Sequence, residues 1–215
     1  MNFNHLILLL EGALLTLRIC LLGMALGSVA GFFIGLMRAS KNKFLNLLSL
    51  CYVETFRNSP LLIQLFLLYY GLPILFNTHI PAQTTATIAI TLYTAGYMAE
   101  VFKSAISAIE KGQWEASYSL GLSYTHSLRC VILPQAFRIA IPPLVGIFVM
   151  VLKDSSLVSI IGFVELTRMA AMVRSLTFTT FDVFGVTAVL YFIMCYGFSK
   201  LGSFLEKKLE IAKVR

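Results

Sequence analysis

The sequence predicts an all-α, polytopic membrane protein in which five transmembrane helices form one domain over residues 1–215. Of its 215 residues, 58% are hydrophobic and only 13% are charged, and the mean hydropathy is +0.84. Soluble domains are nearer half apolar and a quarter charged. The apolar residues also form runs long enough to cross about 30 Å of hydrocarbon at about 1.5 Å per residue. Composition and run length together exclude a soluble domain.

Five apolar segments are the predicted spans. The first follows neither a basic leader nor a small-residue cleavage site, so we expect it to stay in the membrane. The second is too long for one straight crossing and contains Asn58-Ser59-Pro60, where proline removes a backbone donor and disfavours helix in the preceding residue. We therefore predict a break there. The spans cover residues 12–36, 44–75, 85–109, 135–152 and 183–204.

The basic residues predict the orientation of the chain. Of the 17 lysines and arginines, three follow the first span, four lie between residues 103 and 138, and five lie at the C-terminal end. The connections on the opposite side hold three. Because cytoplasmic loops are enriched in Lys and Arg, we predict an N-terminus outside and a cytoplasmic C-terminus. The basic tail, residues 206–215, is expected to contact anionic lipid headgroups.

Metal-site and enzyme patterns are missing from the sequence. The cysteines and histidines have no metal-ligand spacing, so we expect neither a metal site nor a disulfide. A nucleophile, a base and an orienting group do not occur together, and no G-x-x-x-x-G-K-[ST] segment is present. We therefore predict that the chain is not an enzyme and that any ATP hydrolysis belongs to a separate subunit.

The first span has a glycine at every fourth position, and these glycines share one helix face. Such a stripe lets membrane helices approach closely. We expect packing within the chain, with a contact between subunits as the alternative. The stripe consists of Gly23, Gly27, Gly31 and Gly35.

Two pairs of opposite charge are predicted within spans, where an ionisable side chain needs a partner or a watery cavity. Glu54 and Arg57 are three residues apart beside the predicted break, which favours a structural ion pair. A direct role for them in a transport pathway is the alternative. Glu100 and Lys103 have the same spacing near the cytoplasmic end of the third span, where the lysine can reach the interface.

The connection over residues 110–134 is too polar to cross a membrane. Residues 113–120 suit a short helix that Gly121 would end, and Ser123 can cap a second helix that runs to Pro134. Two short helices at the cytoplasmic face would form a docking element for a partner. A solvated loop is the alternative that the pattern alone leaves open.

This connection resembles the EAA loop of ABC importer permeases, whose pattern is E-A-A, three residues, G, nine residues, then I-x-L-P. The intervals are kept in Glu115-Ala116-Ser117, Gly121 and Val131-x-Leu133-Pro134. The resemblance implies the type I ABC importer permease fold with a cytoplasmic coupling helix. It also assigns contact with the ATPase to residues 114–121, and within them to Trp114, Glu115, Ala116, Ser117 and Gly121.

A wider resemblance covers nearly the whole chain. The segments ETFRNSPLLIQLFLLYYGLP, GQWEAS, ILPQAFR and KDSSLVSIIGFVELTR are similar to permeases for polar amino acids, of the glutamine, histidine and arginine type. The resemblance implies a bacterial inner-membrane permease that works by alternating access. Its expected partners are cytoplasmic ATPases that bind ATP and Mg, a second permease subunit, an extracytoplasmic binding protein and membrane lipid. No cofactor is expected on this chain.

The segment over residues 153–174 holds the candidate substrate-pathway residues. Its apolar core, residues 157–163, is too short to span, so a re-entrant or gating segment is predicted. An amino acid needs donors for its carboxylate and acceptors for its ammonium group, and both kinds of group cluster here; a hydrated interfacial loop is the alternative. The candidates are Asp154, Ser155, Ser156, Glu165 and Arg168 of this segment, together with Ser59 at the predicted break in the second span.

Two other functions fit part of the sequence. An ion-coupled secondary carrier would explain the charges within spans but not the EAA spacing. A non-transporting membrane assembly protein would explain the glycine stripe but not the polar break in the second span.

Overall fold

A computed structural model describes residues 2–211, with side chains through residue 208. Its helices are α1 (Phe3–Ala39), α2 (Lys43–Arg57), α3 (Leu61–Phe76), α4 (Ala82–Ser107), α5 (Lys111–Ser119), α6 (Tyr124–Ser127), α7 (Leu133–Asp154), α8 (Leu166–Thr177) and α9 (Thr180–Ile211). A π-helical turn over Leu128–Ile132 joins α6 to α7, and a 3₁₀ helix over Ser155–Ile161 follows α7. Most of the predicted lipid-binding tail lies outside the described side chains.

The glycine stripe packs α1 against α4, so the prediction of close packing within the chain is confirmed. A Cβ added at Gly23 would lie 2.6 Å from Ile90 Cγ2, and one added at Gly35 would lie 2.8 Å from the carbonyl oxygen of Ala99. Successive glycines of α1 meet successively later residues of α4, so the two helices run parallel. We call the end of the bundle that holds the C-termini of α1 and α4 the basal end, and the other the apical end.

The predicted break in the second segment is confirmed. α2 ends at Arg57, α3 begins at Leu61, and the two helices bend by 100°. The side-chain amide of Gln64 bridges the break, because its nitrogen lies 2.9 Å from the carbonyl oxygen of Phe56 and 2.9 Å from the Ser59 hydroxyl. Backbone groups freed at the break thereby keep hydrogen bonds inside the bundle.

α7 runs antiparallel to α4 and ends midway up the bundle. Near the basal end Phe137 stacks on Phe32 of α1, with ring centroids 5.3 Å apart. At the other end of α7, Asp154 accepts a hydrogen bond from Tyr93. Tyr93 precedes Thr94, which packs against Gly27 of α1, so α7 ends at the level of Gly27. The chain then continues as a 3₁₀ helix beside the middle of α1, and α8 packs on the apical half of α1 near Gly12.

Three described segments are long and apolar enough to cross a membrane: α1, the segment Tyr124–Ile161, and Thr180–Lys208 of α9. The bent pair α2 and α3 qualifies together as a fourth. The predicted third span, which is α4, does not qualify among the described helices. α4 carries Glu100, Lys103 and several threonines, and it is enclosed by α1, α2 and α7. An enclosed helix needs less apolar surface than one that faces lipid.

Candidate functional site

The short helix of the polar connection forms as predicted. α5 covers Lys111–Ser119, and Gly121 follows with a φ of +77°, a backbone conformation that glycine adopts without strain. Its amide donates to the carbonyl oxygen of Tyr118, and the Leu122 amide donates to that of Ser117. These bonds close the helix C-terminus, so Gly121 ends the helix.

The inner face of α5 attaches it to α6. Ser117 is buried, and its hydroxyl lies 2.8 Å from the Ser127 hydroxyl. Trp114 stacks on Tyr124, with ring centroids 5.6 Å apart and ring planes 13° apart. Of the predicted coupling residues, Trp114 and Ser117 therefore hold the helix in place.

The outer face of α5 is exposed in the described part of the chain. Glu115 and Ala116 are exposed, and so are two further side chains of the predicted contact segment 114–121: Tyr118 is 42% exposed and Leu120 is 80% exposed. These four residues belong to the segment that the EAA resemblance assigns to contact with the ATPase. We call the face formed by Glu115, Ala116, Tyr118 and Leu120 the docking face.

The prediction of a second short helix that ends at Pro134 is wrong. Ser123 does cap a helix, because its hydroxyl accepts from the His126 amide at 3.5 Å. That helix continues through the π-helical turn into α7 without a stop. Pro134 lies inside this continuous helix, just after the π-helical turn, and does not end it. The connection therefore holds one short helix and the beginning of a long one.

A chain of hydrogen bonds runs from Asp154, a predicted pathway residue, to the backbone near Ser59, another. The Asp154 carboxylate accepts from the Tyr93 hydroxyl at 3.0 Å, and the Tyr93 and Tyr97 hydroxyls are 3.5 Å apart. Tyr97 donates to the carbonyl oxygen of Arg57 at 3.4 Å, two residues before Ser59. We call Ser59, Gln64, Tyr93, Tyr97 and Asp154 the polar cluster.

Sequence reasoning missed three members of the polar cluster. Tyr93 and Tyr97 are four residues apart on α4, and this spacing was a signal that they share a face. Gln64 is 94% buried, and its place as the one polar side chain in the apolar run over residues 61–68 of a predicted span was a signal for this. Its position depends on the bend between α2 and α3.

Ser155 and Ser156 lie next to Asp154, at the start of the 3₁₀ helix. Ser155 is fully buried, and its hydroxyl donates to the carbonyl oxygen of Leu152 at 2.8 Å. Ser156 is partly exposed, and its carbonyl oxygen accepts from the Ser159 hydroxyl. Ser156 is therefore the more accessible of the two.

Glu165 and Arg168 are not brought to the polar cluster. Glu165 is fully buried and caps α8, because its carboxylate accepts from the backbone amides of Thr167 and Arg168 at 2.9 and 2.8 Å. It also accepts from the Tyr191 hydroxyl at 2.9 Å. Arg168 is exposed on α8. The carboxylate thus joins α8 to α9.

The predicted ion pair between Glu54 and Arg57 is not formed in the described part of the chain. Glu54 accepts from the side-chain amide of Asn58. The sharp bend after Arg57 turns its guanidinium toward α4, where Nη1 lies 3.9 Å from the Glu100 carboxylate. Glu100 also contacts Lys103 at 3.1 Å, which confirms that predicted pair.

Within residues 2–208, no group of three histidine, cysteine or acidic side chains is arranged to hold a metal ion.

The model of one protein family matches residues 23–209, and its description is "binding-protein-dependent transport system inner membrane component". The chain belongs to this family. The permease is 40% identical over 199 residues to the probable amino-acid ABC transporter permease protein YckA of Bacillus subtilis, a match that covers 93% of this chain and 88% of the relative. It is 36% identical over 205 residues to the glutamine transport system permease protein GlnP of Escherichia coli, covering 95% and 94%.

The chain is also similar in structure to solved ABC transporter chains. The permease superposes with a TM-score of 0.89 and 37% identity on a chain of a crystal structure of an amino acid ABC transporter with histidines, covering 97% of this chain and 99% of the other. It also superposes, at a TM-score of 0.84 and 21% identity, on a chain of the inward-facing MetNI methionine ABC transporter, covering 97% and 99%, which supports the fold alone.

The comparisons confirm the resemblance drawn from the EAA loop and from the longer segments. The permease is a non-catalytic, multi-pass inner-membrane subunit of an ABC importer, and ATP is hydrolysed on a separate subunit.

Proposed function

We propose that the permease forms, with a second permease subunit, the pathway by which polar amino acids enter a bacterial cell. An extracytoplasmic binding protein delivers the amino acid, and cytoplasmic subunits that bind ATP and Mg drive its passage. The observation that carries this proposal is the polar cluster, which sets a carboxylate, hydroxyls and an amide midway up an apolar bundle. Polar groups at that depth in a membrane protein mark substrate pathways.

The proposal includes five spans with the N-terminus outside. α4 is the additional span: its 26 residues are long enough to cross, and it runs parallel to α1. The basal end then faces the cytoplasm, where the docking face is within reach of an ATPase. The twelve bases counted on that side in the sequence agree with this orientation.

A continuous path joins the docking face to the polar cluster. The Ser117–Ser127 and Trp114–Tyr124 contacts fasten α5 to α6, and α6 continues into α7. α7 ends at Asp154. When the ATPases close on ATP and displace α5, this helix transmits the movement to Asp154, and the two ends of the bundle open in turn. ATP shifts the equilibrium because the docked subunits contact the two states differently.

Within the pathway, Asp154 is the acceptor for the ammonium group of the amino acid. Ser59 and Ser156 supply hydroxyls for its remaining polar groups. Ser155, Glu165 and Arg168 have less support, because Ser155 bonds within its own helix, Glu165 caps α8 and Arg168 faces outward.

Co-purification followed by an ATPase assay tests the proposal. The permease is expressed with the subunits encoded beside it, and the complex is reconstituted with its binding protein. We expect an ATPase subunit to co-purify and a polar amino acid to stimulate ATP hydrolysis above the level seen with apolar amino acids. A complex that contains no ATPase, or equal hydrolysis with all twenty amino acids, would contradict the proposal.

A further inference from the structure

The segment that joins α6 to α7 is a weak point in an otherwise continuous helix. Leu128–Ile132 is π-helical, and the Leu133 amide donates to the carbonyl oxygen five residues earlier. Pro134 comes next and has no backbone N–H, so the carbonyl oxygen of Cys130 lacks the donor that an α-helix would supply. π-helical turns and prolines are common causes of sharp bends in helices. We call residues 128–134 the hinge segment.

The two side-chain contacts that fasten α5 to α6 lie on one side of the hinge segment. Ser127 and Tyr124, which contact Ser117 and Trp114, both precede residue 128. α5 and α6 are therefore one unit, and α7 lies beyond the hinge segment. A displacement of α5 would bend the hinge segment rather than move α7 unless a further contact connects the two helices.

In the described part of the chain, one side-chain hydrogen bond joins α5 to α7 across the hinge segment. The Gln135 side-chain nitrogen of α7 lies 3.1 Å from Gln113 Oε1 of α5 and 2.9 Å from the carbonyl oxygen of Val131. A glutamine side-chain nitrogen has two hydrogens, so it can donate to both acceptors at once. The Gln135 side chain therefore connects α5, the hinge segment and α7.

We propose that Gln135 is a positioning residue that couples ATP hydrolysis to transport. Together with Gln113 it stiffens the hinge segment, so that a displacement of α5 moves α7 instead of being absorbed between the two helices. Neither glutamine belongs to the docking face or to the polar cluster. Without their bond the ATPases would still dock and hydrolyse ATP, but fewer cycles would move an amino acid. This inference rests on the proposed function, because it assigns the movement of α7 to transport.

The first experiment measures the stiffness of the hinge segment without transport. Backbone hydrogen exchange at residues 128–133 is followed by mass spectrometry in the intact complex in detergent. Gln135→Ala removes the bond. Cys130→Ala is the matched control, because it changes an exposed side chain of the hinge segment and leaves the bond in place.

We expect exchange in the hinge segment to be at least threefold faster in Gln135→Ala than in the parent, because the segment then opens without breaking the bond to α5. Exchange in Cys130→Ala should stay within twofold of the parent. Equal exchange in the two variants would overturn the inference. The result does not depend on what the importer carries, so this experiment separates the inference from the proposed function.

The second experiment measures amino acid uptake for each ATP hydrolysed in proteoliposomes, with the amino acid that stimulates hydrolysis most. Gln135→Ala and Gln113→Ala should each lower this ratio at least fivefold, while ATPase co-purification and the hydrolysis rate stay within twofold of the parent. Because both substitutions remove the same bond, the double variant should be no worse than either single one. A merely structural role would lower co-purification, hydrolysis and uptake together and leave the ratio unchanged.

Replacing the two amides by an ion pair supplies the rescue. Gln113→Glu with Gln135→Lys should restore at least half of the parent ratio, because opposite charges join α5 to α7 again. Gln113→Glu with Gln135→Glu should stay at the level of Gln135→Ala. The inference is wrong if both pairs couple equally well, or if Gln135→Ala speeds exchange and keeps the parent ratio. If the parent itself takes up no amino acid, the proposed function fails, whereas the exchange experiment still decides whether Gln135 stiffens the hinge segment.

Discussion

Replacing Gly31 by alanine should separate α1 from α4 and destabilise the permease. The added Cβ would lie 2.5 Å from Met98 Cβ and 2.9 Å from the carbonyl oxygen of Ala95. Both atoms are fixed to the α4 backbone, so no side-chain rotation relieves the clash. Because carbon atoms pack at about 3.5 Å or more, the helices must move apart locally by about 1 Å. Such overpacking costs about 1–3 kcal/mol.

Gly197→Ala is the matched control. Gly197 is an exposed glycine of α9, and a Cβ there would meet nothing within 4 Å. Alanine is favoured over glycine in a helix by up to about 1 kcal/mol, and both variants have this gain. The difference between them therefore isolates the clash at Gly31.

Thermal unfolding of the two variants in the same detergent measures this difference. At roughly 2–4 °C for each kcal/mol in a chain of this size, Gly31→Ala should unfold about 2–12 °C below Gly197→Ala. Equal unfolding temperatures would refute the reasoning, because they would mean that α1 and α4 do not pack as closely as the glycine stripe requires.

Three further substitutions test the docking face and the pathway. Glu115→Arg reverses a charge on the docking face, so we expect co-purification of the ATPase and amino acid uptake to fall at least tenfold while the unfolding temperature stays the same; unchanged co-purification would refute the assignment. Trp114→Ala removes the stack on Tyr124, worth about 0.5–1.5 kcal/mol, and should reduce ATPase binding by about 2- to 10-fold in a pull-down titration, whereas Trp114→Phe should retain most of it. Asp154→Ala removes the proposed ammonium acceptor and should lower uptake by about tenfold or more with little change in membrane insertion; a loss of insertion alone would eliminate Asp154 as a pathway residue.

The sequence was informative where one residue type has a strong local effect. Proline at position 60 predicted the break before α3, and Gly121 predicted the end of α5. The four-residue glycine period predicted the packing of α1, because only a helix places those glycines on one face. Each of these predictions rests on one local residue type or on one face of one helix, which sequence spacing describes directly.

The arrangement of the polar residues was harder to predict because it depends on how helices cross. Glu54 and Arg57 have suitable spacing for a pair, but the 100° bend turns Arg57 toward α4. Glu165 is eleven residues from Asp154, yet it is occupied as the cap of α8. Tyr93 joins Asp154 across 61 residues of sequence. Spacing within one segment carries no information about such contacts.

The third predicted span, α4, is the one that does not meet the length and hydropathy criteria for a membrane span among the described helices. The threonines and charges of α4 lower its hydropathy, yet the helix is enclosed by its neighbours rather than surrounded by lipid. Hydropathy describes the solvent that a helix faces, so it is a weaker guide for a central helix.

Uptake by a reconstituted complex that contains a hydrolysis-deficient ATPase tests the central claim most directly. Proteoliposomes hold the permease, the binding protein outside and ATP inside, and an amino acid gradient is followed with the active and the deficient ATPase. We predict that uptake with the deficient ATPase falls to the level of protein-free liposomes. Uptake that continues without hydrolysis and follows an imposed ion gradient would show a secondary carrier and would contradict the account.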